Sequence, residues 1–238
     1  MIDSWHVTIF TLFPELFPGP LGASILGSAL EKGVWNLKTV QIRDYAENKH
    51  NTVDDPVFGG GPGMILRADV IDRAFTEHLK GADKPDRLIY LSPRGKPFSH
   101  SYAKELAKAK KVAMLCGRFE GVDQRVLDEW QVEEISLGDF ILAGGEVAAM
   151  ALIETSLRFI PGVVGTMQSV EEESFSHGLL EAPHYTRPRI WKGREVPEVL
   201  LSGHHEKIAD WRLAQAEEVT RVRRPDLWKK YLKKREKQ

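Results

Sequence analysis

Val112-Ala-Met-Leu-Cys116 runs straight into Gly117-Arg118-Phe119-Glu120-Gly121. A short apolar run with no polar alternation reads as a strand buried on both faces. The glycines that follow give the backbone room to turn sharply and to approach a ligand. The pattern recurs one step on. Val132–Ser136 is strand-like, and Ser136-Leu137-Gly138-Asp139-Phe140-Ile141-Leu142 with Gly144-Gly145 follows it. Each stretch sets exposed backbone donors and apolar side chains just past a strand end. That suits a flat heteroaromatic ligand held by main-chain hydrogen bonds. It equally suits a pair of tight βα turns, and the residues alone do not choose.

Outward from this centre, Trp5–Phe10, Leu37–Ile42 and Arg87–Leu91 are further strand candidates. Ala23–Lys32, Ala68–Leu79, Ser101–Lys110, Asp123–Trp130 and Gly145–Phe159 have helical periodicity. Strand and helix in alternation predict an α/β fold, a mostly parallel sheet with helices on both faces. Ligands of such sheets bind beyond the carboxyl ends of the strands. After Phe159 the pattern breaks. Residues 161–183 read as a linker with an acidic cluster, Glu171-Glu172-Glu173. His205–Val219 and Pro225–Lys234 then predict two helices, with Pro225 suited to a helix start. Leu213, Ala216, Val219 and Val222 fit one apolar stripe. The expected organisation is therefore residues 1–160 as an α/β domain, 161–183 as linker and 184–238 as a small basic helical domain.

The net charge of −1 conceals a polarised chain. From Arg187 to Gln238 there are fifteen Lys or Arg and eight Asp or Glu, a balance of +7. Residues 1–186 hold eighteen basic and twenty-six acidic side chains, a balance of −8. A basic end on an acidic body attracts a polyanion, and the charge pattern favours nucleic acid over the alternative of a merely solvated helix. A single cysteine, Cys116, rules out an intrachain disulfide and fits a reducing, cytoplasmic setting. Its place in an apolar strand makes it a buried structural thiol. The N-terminus, with Asp3 and His6 before any apolar run, does not read as a signal peptide. No segment is apolar enough to span a membrane. Gly59-Gly-Gly-Pro-Gly63 lacks the spacing of a phosphate-binding fingerprint and reads as a mobile loop. His204-His205-Glu206 does not make a metal site, because adjacent histidines on a helix point about 100° apart. No metal ligand set is assigned.

The blocks also resemble a known family. Phe10-Thr-Leu-Phe-Pro-Glu-Leu-Phe17, Val53-Asp-Asp-Pro56 with Gly59–Met64, and Tyr90-Leu91-Ser92-Pro93 come first. Cys116–Gly121, Ser136–Glu146, Arg158-Phe-Ile-Pro-Gly162 and Glu173-Ser-Phe175 follow. Gly178-Leu-Leu-Glu181, His184-Tyr-Thr-Arg-Pro188 and Leu201-Ser-Gly-His-His205 complete the series. In this order the ten blocks resemble the bacterial tRNA (guanine-N(1)-)-methyltransferase family of the SPOUT class. The resemblance implies methyl transfer from S-adenosylmethionine to N-1 of guanosine at position 37 of tRNA. It implies a trefoil knot, which periodicity cannot reveal and which general topology rules disfavour. It implies a homodimer with active sites at the subunit interface.

Residue by residue, the resemblance places the cofactor against Tyr90–Pro93, Gly117–Gly121 and Ser136–Leu142 with Gly144 and Gly145. Glu173 stands at the position of the catalytic base, and Arg158 at that of the arginine stabilising the guanine carbonyl oxygen. The basic tail then grips tRNA, with Arg187, Arg189, Arg212, Arg223 and Arg224 as candidates. Mg2+ is left as an open co-ion. The sequence departs from the family in four places. Phe119 and Phe140 stand where Tyr is frequent, Glu173 where Asp is usual, and His177 where some members carry Asp. Competing readings are a SPOUT enzyme with another RNA target, a non-catalytic RNA-binding protein and, by fold analogy alone, a nucleotide-dependent oxidoreductase.

Overall fold

The computed structural model describes residues 4–165 and 173–236. Asp3, Glu171, Glu172 and Lys237 lie outside the described residues, as does the middle of the expected linker, 166–172. The chain divides into two compact units, Met1–Gly165 and Thr166–Gln238.

In the first unit five strands form one parallel sheet: β1 (Trp5–Thr11), β2 (Trp35–Gln41), β5 (Arg87–Pro97), β6 (Lys111–Leu115) and β7 (Glu133–Ser136). Their spatial order is β2-β1-β6-β5-β7. The side chains alternate between two buried clusters. Val7, Ile9, Val112 and Met114 face one, with Leu26 and Ala29 of α1 (Ser24–Glu31), Leu106 of α3 (His100–Leu106) and Leu152 and Ile153 of α5 (Glu146–Leu157). Phe10, Ala113 and Leu115 face the other, with Val70, Ile71 and Phe75 of α2 (Ala68–His78) and Val126 and Leu127 of α4 (Gln124–Glu129). A period of two against helices on both faces is why these strands read as unbroken apolar runs. The expected α/β architecture is therefore present.

Three elements differ from expectation. A short antiparallel hairpin, β3 (Asp54–Pro56) and β4 (Met64–Leu66), carries the Gly59–Gly63 run at its turn. Strand β5 does not end at Leu91. Leu91 and Lys96 both pair with Ile135, so Ser92–Gly95 bulge from the ladder and pairing then resumes. Helix α3 starts at a Ser99 cap, whose Oγ accepts the Tyr102 N–H at 3.2 Å, and stops at Leu106.

The second unit contains a two-residue hairpin, β8 (Ile190–Trp191) and β9 (Arg194–Glu195), and two helices, α6 (His205–Arg223) and α7 (Pro225–Arg235). The proposed stripe on α6 is only half buried. Leu213 and Val222 are 50% and 64% exposed, whereas Thr220 is fully buried, because the inward face follows Ala216, Val219 and Thr220. The linker reading also narrows. Val163 is buried in the first unit's core and Pro161 bridges to Val164. Beyond the undescribed stretch, the Leu180 N–H donates to Thr220 Oγ1 at 2.8 Å, tying that segment to α6.

His78 ends α2, pairs with the Tyr45 hydroxyl and meets the Phe10 ring edge-on. Burial, then Lys38, holds its imidazole below the usual 6.5. As pH falls, the unfolded chain takes up this proton first, so stability present above pH 6.5 is lost below it. The urea midpoint of the wild type should therefore fall relative to His78→Gln as pH drops from about 7.5 to about 5.5. A constant offset between the two would refute the assignment.

Candidate active site

The carboxyl ends of β6 and β7 and the bulge of β5 surround a cavity of about 230 Å³. All the residues expected to hold a cofactor border it except Asp139. Ile135, Ala143 and Ala148 border it too. Ala148 was detectable, because it lies one helical turn beyond Gly144 and Gly145. Ile135 was not, because its inclusion depends on how β5 bulges past it.

Backbone geometry brings the three loops together. Phe119 has φ 57° and Gly121 φ 122°, so the chain turns through the left-handed region. The Glu120 N–H donates to the Met64 carbonyl at 2.9 Å, docking this loop on the hairpin. The Gly145 N–H donates to the Gly117 carbonyl at 3.0 Å, joining the second and third loops. Phe119 and Phe140 are about half exposed at the rim, 54% and 52%. Tyr90 is buried beneath Gly117 and Gly121, and that burial raises its phenol pKa, keeping the ring neutral. Cys116 is fully buried and burial pushes its thiol up, which leaves it inert as a nucleophile.

A buried polar network supports the cavity. Glu146, 1% exposed, opens α5. Its Oε1 accepts the Thr11 hydroxyl at 2.7 Å and Arg118 Nε at 3.3 Å, and its Oε2 faces Arg118 Nη2 at 2.8 Å as an ion pair. Arg118 also donates to the Ala143 carbonyl and lies 4.3 Å from the Phe13 ring centroid. The Thr11 Oγ1 accepts the Phe13 N–H. One carboxylate thus links β1 to two cavity loops, at a helix N-terminus where negative charge is favoured. Glu146→Gln keeps the shape and removes the charge. It should cost about 1.5–3 kcal/mol, the value of a hydrogen bond to a charged group. Thermal melting checks this, and an unchanged Tm would show the network to be incidental.

The other expected site residues do not share this cavity. Arg158 caps the carboxyl end of α5, while Gly145 caps its amino end. Twelve helical residues separate them, roughly 18 Å along the axis. Glu173 belongs to the second unit, where its carbonyl accepts the Ser176 N–H at 3.2 Å. The following turn is held by the Phe175 N–H to the Leu179 carbonyl at 2.7 Å, with Phe175 at φ 79°. His177 is exposed on it. Arg187, Arg189 and Arg212 meet at a second cavity, within the second unit. Arg223 sits in the last turn of α6, and Arg224 is paired with Asp226. His204 and His205 are exposed at the start of α6. Among the described residues no cluster of His, Cys, Asp or Glu could hold a metal. No described helix is long and apolar enough to cross a membrane.

A parallel sheet with one glycine-lined cavity beyond adjacent strand ends defines a ligand-binding α/β protein. The family model described as tRNA (Guanine-1)-methyltransferase TrmD matches residues 5–230. The tRNA (guanine-N(1)-)-methyltransferase of Cereibacter sphaeroides is 57% identical over 232 residues, 96% of this chain and 93% of that protein. That of Rhodospirillum rubrum is 56% identical, covering 96% and 95%, and that of Pelagibacter ubique 53%, covering 96% and 99%. The chain belongs to the tRNA (guanine-1)-methyltransferase family.

Proposed function

We propose that this chain transfers a methyl group from S-adenosylmethionine to N-1 of guanosine at position 37 of tRNA. The observation that carries this reading is the meeting of all three expected loops at one cavity in a chain of this family. The cavity fits the cofactor. An added Cβ at Gly117 would stand 2.7 Å from the Tyr90 ring and one at Gly145 2.8 Å from Cys116 Cα, so side chains are excluded where the backbone must face a ligand. Leu137, Ile141 and Leu142 supply apolar walls, and Glu120 supplies a carboxylate suited to a cationic donor. When bound, S-adenosylmethionine supplies an electrophilic methyl group on sulfur.

The chain's own residues do the rest. Guanine N-1 carries a proton and is a weak nucleophile until that proton leaves. Glu173 accepts it as the new bond to carbon forms. Arg158 then meets the negative charge building on the guanine carbonyl oxygen. The target base leaves its stack to reach them.

Two copies of the chain complete each site in this reading. Two observations support it. Arg158 and the cavity lie at opposite ends of α5, too far apart to serve one reaction within one chain. Phe140, Ile141 and Val147 are exposed apolar side chains beside the cavity, available for a subunit interface. The trefoil knot belongs to the same proposal. The contact of Gly145 with Cys116 and Gly117, which lie in the preceding βα loop, supports it. The reaction is assigned to the cytoplasm, a setting suited to a lone buried thiol.

The test is incubation with labelled cofactor and unmodified tRNA carrying guanosine or adenosine at position 37, with and without Mg2+. Label should enter only the guanosine tRNA, and mass analysis of fragments should place it at position 37. Label elsewhere, or none, overturns the reading.

A further inference from the structure

Within the second unit a cavity of about 370 Å³ opens beside the foot of the β8–β9 hairpin and the first turns of α6. Its floor is apolar, from Val196, Leu200 and Ile208. Arg187, Arg189 and Arg212 border it. The Tyr185 ring, 48% exposed, borders it too and packs 6.2 Å from Trp211, which restricts its swing. Val196 is set in place by its N–H donating to the Arg189 carbonyl at 3.0 Å.

Three arginines along the helices of this unit are matched locally. Arg221 pairs with Glu218 at 2.7 Å, Arg224 with Asp226 at 2.7 Å and Arg235 with Glu217 at 3.0 Å. Asp226 is held down to about 2 by Arg224, so that pair stays charged at any working pH. Arg187, Arg189 and Arg212 form no ion pair with a described residue. No acidic side chain among the described residues lines the cavity, and Glu181, just before the lining begins at Pro183, lies 3.7 Å from His184. Arg194 and Arg223 likewise lack an ion pair with a described residue, but Arg187, Arg189 and Arg212 are the ones that gather around a hollow.

A phosphate alone needs exposed cations and gains nothing from an apolar floor. A flat base gains from the floor and from an aromatic edge, and its phosphate from the guanidiniums. We propose that this cavity seats one nucleotide of the tRNA, base and phosphate together, in addition to the methylated guanosine. The inference rests on the proposed function. The cavity contains none of the residues assigned to methyl transfer, so it holds the RNA rather than reacts with it.

The experiment uses the full-length protein and an unmodified tRNA transcript with guanosine at position 37, titrated at several salt concentrations. Leu201→Trp fills the hollow from its rim, where Leu201 is 48% exposed, and changes no charge. It should weaken tRNA binding about tenfold or more, the scale of one lost base contact, with the salt slope unchanged. Arg187→Gln should weaken binding and reduce the slope by about one. Cofactor affinity by calorimetry should match wild type in both, and circular dichroism with thermal melting checks that the second unit still folds. Leu201→Phe replaces Leu201→Trp if the latter fails that control. A set of transcripts each lacking one base completes the test. One position should weaken wild-type binding about tenfold and weaken the filled variant no further. Wild-type affinity in the filled variants, or equal penalties in both proteins at every abasic position, overturns the proposal. All these readouts are binding. Loss of methyl transfer to position 37 with the pattern intact would sink the proposed function alone.

Discussion

Replacing Glu173 by Gln should cut single-turnover methyl transfer by about 100- to 10,000-fold, the range contributed by a positioned general base. Glutamine has the shape of glutamate and keeps a carbonyl acceptor, but it takes no proton at neutral pH. N-1 of guanine then keeps its hydrogen and its lone pair stays unavailable to carbon. The backbone around this residue is held by bonds that do not involve its carboxylate. The Ser176 N–H reaches the Glu173 carbonyl, the Glu181 N–H reaches Ser174 Oγ, and Leu180 is tied to Thr220. Cofactor affinity should stay within about twofold of wild type, because Glu173 is not among the residues lining the cofactor cavity and glutamine keeps its size. Rapid-quench measurement with tRNA, alongside calorimetry with the cofactor, separates these quantities. Glu173→Asp, which keeps the carboxylate and loses one methylene, should keep most of the rate. Wild-type turnover by Glu173→Gln would remove Glu173 as the base.

Gly145→Ala should damage the cofactor cavity, because Gly145 is the cavity-lining glycine whose added carbon would meet main-chain atoms alone. The backbone at Gly145, φ −78° and ψ −12°, suits any residue, so the effect is purely one of space. The new carbon would lie 2.8 Å from Cys116 Cα and 3.0 Å from the Gly117 nitrogen, both main-chain atoms. Neither can retreat cheaply. The Cys116 N–H is bonded to the Phe10 carbonyl at 2.9 Å, and the Gly117 carbonyl receives the Gly145 N–H. The second and third loops must part. Overpacking of this kind costs about 1–3 kcal/mol. If half of that falls on the ligand-bound geometry, cofactor affinity drops by about 2- to 12-fold, since 1.4 kcal/mol is tenfold. Calorimetry with S-adenosylmethionine and thermal melting measure both parts. Gly165→Ala is the control, because its added carbon meets nothing within 4 Å. Equal affinity in the two variants would show that the loops need not touch to bind.

Some of this architecture was legible in advance, and each success has a local cause. Strand β6 carries Val112 and Met114 into one cluster, followed by Cys116, and Ala113 and Leu115 into the other. An element buried on both faces must be apolar throughout, so it announces itself. Helix α2 is legible because one face, Val70, Ile71, Ala74 and Phe75, is buried and the other is not. The hairpin β3–β4 escaped notice because three residues, two of them aspartates, carry no period. The bulge in β5 escaped because Leu91 and Lys96 share one partner, a fact about register rather than residue type.

The sequence by itself determined where the main-sheet strands and the longer helices form, which turns carry glycine, and that positive charge collects toward the end. Those properties follow from each residue's neighbours in the chain. Only the tertiary structure decided that the bulge of one strand and the loops after two others would line one cavity, that Thr11 would bond to Glu146 from 135 positions away, and which arginines find acids. Such meetings depend on strand order and helix direction. The free energy that selects them is summed over the whole core, and no single stretch of residues contains it.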